Sequence, residues 1–339
     1  MPFEIVRNDI TKMDVDAIVN SANPHVLIGA GVDSAIHEAA GPKLFKARHL
    51  IGDIPVGSAI ATPAFKLKAD YVIHTVGPVW RGGREQEKQR VKECYKNSLN
   101  LALEKGCKSI AFPLISTGTY GFPKAEALGI AVSVISEFLL QHDMNVFLVV
   151  YDPKAYALSE KIFSEVTEYI DDNYIEEHHI KSPQLRGGQA VDVSYYDPMV
   201  SVIRANEESY SYSNKTERSL EDLIDELDET FSQSLLRHID EKNKSDVEVY
   251  KKANVDRKLF SKIRSNKDYR PSKVTAIAFA LALELNLDET RDLIGRAGFA
   301  LTHSSKFDVI VEYFIEQGNH NVFEINEVLF GFDQILLGV

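Results

Sequence analysis

Residues 17–40 read AIVNSANPHVLIGAGVDSAIHEAA. The apolar run Ala17-Ile18-Val19 ends in a polar string, Asn20-Ser21-Ala22-Asn23. A loop follows, Gly29-Ala30-Gly31-Val32-Asp33, and passes into a helical pattern over Val32–Ala40. Strand, glycine-bearing loop and helix in that order place backbone N–H groups and a helix N-terminus where an anionic ligand can approach them. Pro113–Pro123, PLISTGTYGFP, repeats the arrangement between a strand pattern and a helix pattern. Two such loops side by side can cradle a diphosphate. The chain carries neither a GxxxxGK[ST] loop nor a GxGxxG with its downstream acid, so ordinary NTPase and dinucleotide readings lose support.

Outward from these loops, residues 3–152 alternate short apolar runs with amphipathic stretches. Strands are expected at Phe3–Val6, Ala17–Ser21, Tyr71–Val76, Ser109–Leu114 and Val146–Tyr151, and helices at Val32–Ala40, Gln86–Lys105 and Lys124–His142. Near-continuous apolar strands separated by helices predict a sheet covered on both faces. At 339 residues the chain exceeds twice the ~150-residue domain prior, so two domains are expected.

The net charge of −12 is unevenly placed. Residues 160–230 hold 18 acidic and 6 basic side chains, while the segments on either side are nearly balanced. That acidic stretch reads as a connector over 171–226, with Ala155–Ile170 as a helix packed on the first domain. Cys94 and Cys107 have no metal or redox spacing, and no segment reads as a leader or a membrane span, so a cytoplasmic location is expected. No His/Cys cluster has zinc spacing; neither a catalytic metal nor a cofactor is expected.

Several ordered motifs, Asn8-Asp9-Ile10-Thr11, Ile18–Asn23, Gly29–His37, Ile73-His74-Thr75-Val76-Gly77-Pro78 and Ile115–Pro123, together resemble the macrodomain signature over residues 1–153. The resemblance implies a three-layer α/β/α sandwich that binds ADP-ribose, in a family whose members hydrolyse ADP-ribosyl linkages, deacetylate O-acetyl-ADP-ribose, or only bind. Carried over by position, Asp9 would accept from the adenine amino group with the Ile10 backbone against the ring. The diphosphate would lie on Ser116, Thr117, Gly118, Thr119, Tyr120 and Gly121, with Phe122 against the distal ribose and Gly57 near the phosphates. Ala22, Gly29, Ala30, Gly31, Val32 and Tyr151 complete the expected ligand set. Asn20 and Asn23 match asparagines beside the distal ribose, and Asp33 matches the catalytic aspartate of the hydrolysing subset. Asp33 is also a candidate N-cap for a helix starting at Ser34, a compatible role. His37 and His74 read as structural rather than ligating. Two departures from the pattern are Ala30, where hydrolases carry glycine, and Asn8, where glycine usually precedes the aspartate.

Residues 227–339 change to helical spacing, with helices expected at Phe231–Lys242, Ser245–Ala253, Asp256–Ser265, Ser272–Leu285, Asp288–Gly298 and Ser304–Glu316. Ser245, Asp256, Ser272 and Asp288 are the N-cap candidates. Short connections suit an all-α bundle. Within 251–273, nine Lys or Arg face only Asp256 and Asp268. Residues 245–264 read helix, turn at Asn254-Val255, helix. Val249, Ala253, Val255, Leu259, Phe260 and Ile263 face inward, and Arg257, Lys258, Ser261, Lys262 and Arg264 outward. This resembles the lambda-repressor-like helix-turn-helix family, in which the second helix enters the DNA major groove. The domain organisation expected is 1–170, 171–226 and 227–339. The leading functional reading is a hydrolase acting on ADP-ribosylated protein or nucleic acid or on O-acetyl-ADP-ribose, brought to DNA or a DNA-bound partner by the helix-turn-helix tail. Residues 245–273 are the candidate DNA contact, and no membrane partner is expected. The rival is a non-catalytic ADP-ribose sensor acting as a DNA-binding regulator.

Overall fold

The computed structural model describes residues 2–151, 162, 164–172 and 229–338. Six strands form one sheet: β1 (Phe3–Arg7), β2 (Ala17–Ser21), β3 (Ala59–Pro63), β4 (Tyr71–Thr75), β5 (Ser109–Phe112) and β6 (Asn145–Val150). Their order is β1-β6-β5-β2-β4-β3, all parallel except β3, which runs antiparallel to β4 at the edge. Four helices cover it: α1 (Val32–Ala40), α2 (Pro42–Ile51), α3 (Glu87–Glu104) and α4 (Lys124–Gln141).

Side-chain alternation assigns the two faces. Ile18, Val72, Ala111 and Val149 pack with Ile36, Ala40 and Leu44 of α1 and α2. Ala17, Val19, Ile73 and Ile110 pack with Tyr95 and Leu99 of α3 and Ala131 and Ile135 of α4. The result is the expected sandwich of sheet between helices.

Two elements were not expected. β3 escapes a search for apolar runs because three of its five residues are only half-buried, as befits an edge strand. The helix α2 begins at Pro42 after Gly41 and buries only Leu44 and Arg48, so its apolar stripe is faint.

After residue 228, seven helices follow: α5 (Phe231–Glu241), α6 (Asp246–Lys252), α7 (Arg257–Ser265), α8 (Lys273–Ala282), α9 (Leu287–Arg296), α10 (Lys306–Glu316) and α11 (Val322–Gly331). Ser245, Asp256 and Ser272 cap their helices as expected. Asp288 does not: Asn286 caps α9 through a reciprocal pair with Glu289, and Asp288 lies exposed in the first turn. The helix α11 was also unforeseen. The connector expected over 171–226 lies almost wholly outside the described residues, as do 155–161 and 163. Of the 155–170 stretch, 162 and 164–170 are helical. Val166 and Ile170 join the core of the helical half rather than packing on the first domain as expected, because their apolar side chains meet the C-terminal helices.

The helical half is docked on the edge of the sheet. Asn254, in the α6–α7 turn, accepts from the Phe3 N–H at 2.7 Å and donates to the Phe3 carbonyl at 3.0 Å. Phe323 and Phe330 of α11 join the core of the α3/α4 side, Phe323 with its ring 6.1 Å from that of Phe3. Arg7 lies over the Phe330 ring at 4.8 Å and pairs with Asp333. The unpaired edge of β1 is thus covered rather than left open to other chains.

Candidate active site

The two glycine loops meet at the carboxyl ends of β2 and β5, where they line a cleft of about 340 Å³. One wall is Ser21, Ala22, Asn23 and Gly29–Asp33; the other is Pro113, Leu114 and Ser116–Tyr120. The chain turns into α1 at Gly31, whose φ of 69° is left-handed, and Gly31 rather than Asp33 is the N-cap. Asp33 therefore stands in the first helical turn, with no capping role for its side chain. Ala30 is exposed and takes no positive φ, so its Cβ fits the loop without backbone strain. Nor does Asn8 take a positive φ.

Asp33 is 3% exposed and its carboxylate is held from three sides. Asn20 Nδ2 donates to Oδ1 at 2.6 Å, the Gly29 N–H donates to Oδ2 at 2.6 Å, and His37 Nδ1 stands 3.1 Å from Oδ1. Burial alone would raise the Asp33 pKa, but hydrogen bonds from His37, Asn20 and Gly29 outweigh it and hold it below the usual carboxylate range. Burial opposes protonation of His37, yet the Asp33 partnership prevails and its pKa is raised. Asn20 is fully buried, one layer behind the cleft surface, where Asn23 lies half-exposed.

The opposite loop carries its own strain. Ser116 has a φ of 65°, and its buried hydroxyl has no hydrogen-bond partner among the described residues. A Cβ on Gly77 would overlap that hydroxyl, so the glycine of the Val76-Gly77-Pro78 turn makes room for it. The loop closes on itself through Phe122 N–H to the Ser116 carbonyl, 3.0 Å, and Gly121 N–H to the Gly118 carbonyl, 2.9 Å.

Of the residues expected to touch ligand, Ala22, Asn23, Gly29, Ala30, Gly31, Val32, Asp33 and Ser116 to Tyr120 line this cleft. Others lie elsewhere. Phe122 is 1% exposed and packs edge-on against Trp80 at 4.8 Å, as a core aromatic. Gly57 accepts from Asn97 Nδ2 of α3 at 2.8 Å, and its φ of 89° accounts for the glycine there. Tyr151 projects into solvent. Gly121 sits at the loop's closing turn. Asp9 caps a 3₁₀ turn over Ile10–Lys12, accepting from both the N–H and the hydroxyl of Thr11; Ile10 is buried beneath that turn.

The sequence reading leaves His37 structural without a partner and passes over Arg48. His37 stands four residues after Asp33, one helical turn on, a spacing that signals contact. Arg48 of α2 is 3% exposed, bonds the Gly52 carbonyl, and reaches the Asn23 carbonyl at 3.3 Å. Nothing local in α2 announces that role. Among the described residues no group of three or more His, Cys, Asp or Glu could hold a metal ion.

In the second half, Arg257, Lys258, Ser261, Lys262 and Arg264 are all exposed on α7, opposite buried Phe260 and Ile263. Arg264 pairs with Asp246 of α6.

The Macro domain family model matches residues 19–131. An O-acetyl-ADP-ribose deacetylase from Citrobacter rodentium is 48% identical over 169 residues, covering 48% of this chain and 96% of the relative. The Escherichia coli K12 protein of the same name matches with the same identity and coverage. A solved Oceanobacillus iheyensis macrodomain with MES bound is 40% identical, with a TM-score of 0.45 over 49% of this chain and 92% of that one. Through the sheet, the two loops and the polar cluster at Asp33, this chain belongs to the macrodomain family.

Proposed function

We propose that the chain is a hydrolase of ADP-ribose adducts, O-acetyl-ADP-ribose or ADP-ribosylated protein or nucleic acid, whose α6–α7 pair brings it to duplex DNA. The observation that carries the hydrolase reading is the ionised Asp33 carboxylate, fixed on the cleft wall by Asn20 Nδ2 and the Gly29 N–H. The name shared by relatives at 48% identity supports the same chemistry. A carboxylate held below its ordinary pKa is a weak proton acceptor and a strong fixed charge. Its work is to orient water and to stabilise positive charge growing at the distal ribose, while the backbone amides of the 116–120 loop face the diphosphate.

The DNA reading rests on the four cations of α7 and on the left-handed turn at Asn254, with a φ of 56°, between two short helices. The deciding experiment incubates the chain with O-acetyl-ADP-ribose and with mono-ADP-ribosylated protein and DNA, following release of product. Turnover of at least one, lost in Asp33→Ala, is expected. Tight ADP-ribose binding without turnover of any would leave a sensor instead.

A further inference from the structure

A polar stripe crosses the sheet face beneath α1, from β2 through β4 to β3. Asn20 on β2 and His74 on β4 stand opposite each other in register, and both are fully buried. Thr62 on the antiparallel edge strand β3 completes the stripe, 3% exposed. Asn20 Nδ2 lies 3.2 Å from His74 Nδ1, and His74 Nε2 lies 3.0 Å from Thr62 Oγ1.

Donor and acceptor chemistry leaves one arrangement. An amide nitrogen only donates, so one hydrogen of Asn20 Nδ2 goes to Asp33 Oδ1 and the other to His74 Nδ1. That nitrogen must then carry no proton, which puts the ring proton on Nε2, donated to Thr62 Oγ1. Reversing the Asn20 amide would set its carbonyl against the Asp33 carboxylate. The Asn20 carbonyl oxygen, meanwhile, is buried with no hydrogen-bond partner among the described residues. The fold tolerates an unmade bond there while keeping the nitrogen aimed at Asp33.

We propose that His74 and Thr62 are positioning residues for the reaction at Asp33, a relay from β3 through Asn20 that fixes the carboxylate's orientation. The inference rests on the hydrolase reading above. Burial, with Arg48 and His37 close by, pushes the His74 pKa down to about 3, so the ring stays neutral throughout the working range.

The test compares His74→Leu, His74→Asn, His74→Gln and Thr62→Val in the full chain, with O-acetyl-ADP-ribose as probe. Asn presents an acceptor where Nδ1 stood, whereas Gln reaches only the Nε2 position. His74→Leu and His74→Gln should lower kcat by about ten- to a hundredfold, the scale of a lost supporting shell, with ADP-ribose affinity held within about threefold. His74→Asn should recover most of the rate, and Thr62→Val should fall between. Imidazole ¹⁵N shifts of the wild type should report a neutral Nε2–H ring from pH 5 to 8. Wild-type kcat in His74→Leu, or a ring protonated on Nδ1, overturns the relay. Absence of wild-type turnover would instead remove the hydrolase reading, and the ring tautomer alone would then decide whether the relay exists.

Discussion

Asp33 joins two environments, a cleft wall and a buried hydrogen-bond cluster, and its chemistry follows from the second. Because its pKa lies below the usual carboxylate range, the side chain is ionised throughout the neutral region. A kcat profile from pH 5.5 to 8 should therefore show no acidic limb from this group. Its stabilising bonds are present above the ordinary carboxylate pKa and are lost as pH falls through the lower folded value. Asp33→Ala should cost about a hundredfold or more in turnover while ADP-ribose affinity moves only a few fold, since the charge acts at the transition state. Calorimetry beside steady-state kinetics checks both halves. Equal losses in affinity and rate would recast Asp33 as a binding group.

The α6–α7 turn shows how one residue serves two elements. Asn254 adopts a left-handed conformation that most side chains resist, and its amide pairs with both backbone groups of Phe3. Asn254→Gly keeps the turn but loses the pairing; Asn254→Ala loses both. Thermal unfolding should rank wild type above Gly and Gly above Ala. The loss of two buried hydrogen bonds costs about 2–4 kcal/mol, and backbone strain adds about 1 kcal/mol for Ala. Equal stability of Asn254→Gly and wild type would show that the β1 contact contributes nothing. Sequence pattern placed this turn correctly. Its partner, 251 residues away, left no local trace.

Across the whole molecule, the α6–α7 turn meets the amino-terminal end of β1 and α11 lies along that strand to Arg7, while the cleft opens at the carboxyl ends of β2 and β5. A duplex bound on α7, as proposed, would approach near the amino-terminal end of β1, away from the end at which the cleft opens. The full chain should bind duplex DNA with a log–log salt slope near −4 to −5, for four to six phosphate contacts at about −0.9 each. Saturating ADP-ribose should not compete. Arg257→Glu, Lys258→Glu and Lys262→Glu together should abolish binding, as read by fluorescence anisotropy, without lowering the melting temperature; Arg264 is kept because it pairs with Asp246. Absence of binding even at low salt would make the tail a protein-docking module. The full chain is the proper reagent, because a fragment from 229 onward would expose Phe323 and Phe330.

The same junction carries a pH dependence. A cavity of about 590 Å³ lies between α4, α10 and α11, lined in part by Glu165, Glu324 and Glu327. Burial, and then the Glu324 charge, raise the Glu327 pKa to about 7. A carboxyl raised in the folded state favours the native chain while protonated, and that advantage fades as pH climbs from the ordinary carboxylate range to about 7. Glu327→Gln should therefore gain stability relative to wild type between pH 5 and pH 8. A constant difference in melting temperature across that range would show that Glu327 titrates normally.

Local chemistry in the sequence determined the alternation of strand and helix, the two glycine loops and the cations on the outer face of α7. Each of these is written in neighbours a few residues apart, through apolar period, glycine placement or capping. Only the tertiary structure decided that Phe122, Gly57 and Tyr151 lie away from the cleft, and that Asn20 works from behind its wall. It also brought Thr62, His74, Arg48 and Asn254 into contact with partners they do not resemble in sequence. The physical reason is register. A strand's side chains alternate between faces, but which polar residue meets which depends on how strands far apart in the chain align, and that alignment belongs to the folded sheet.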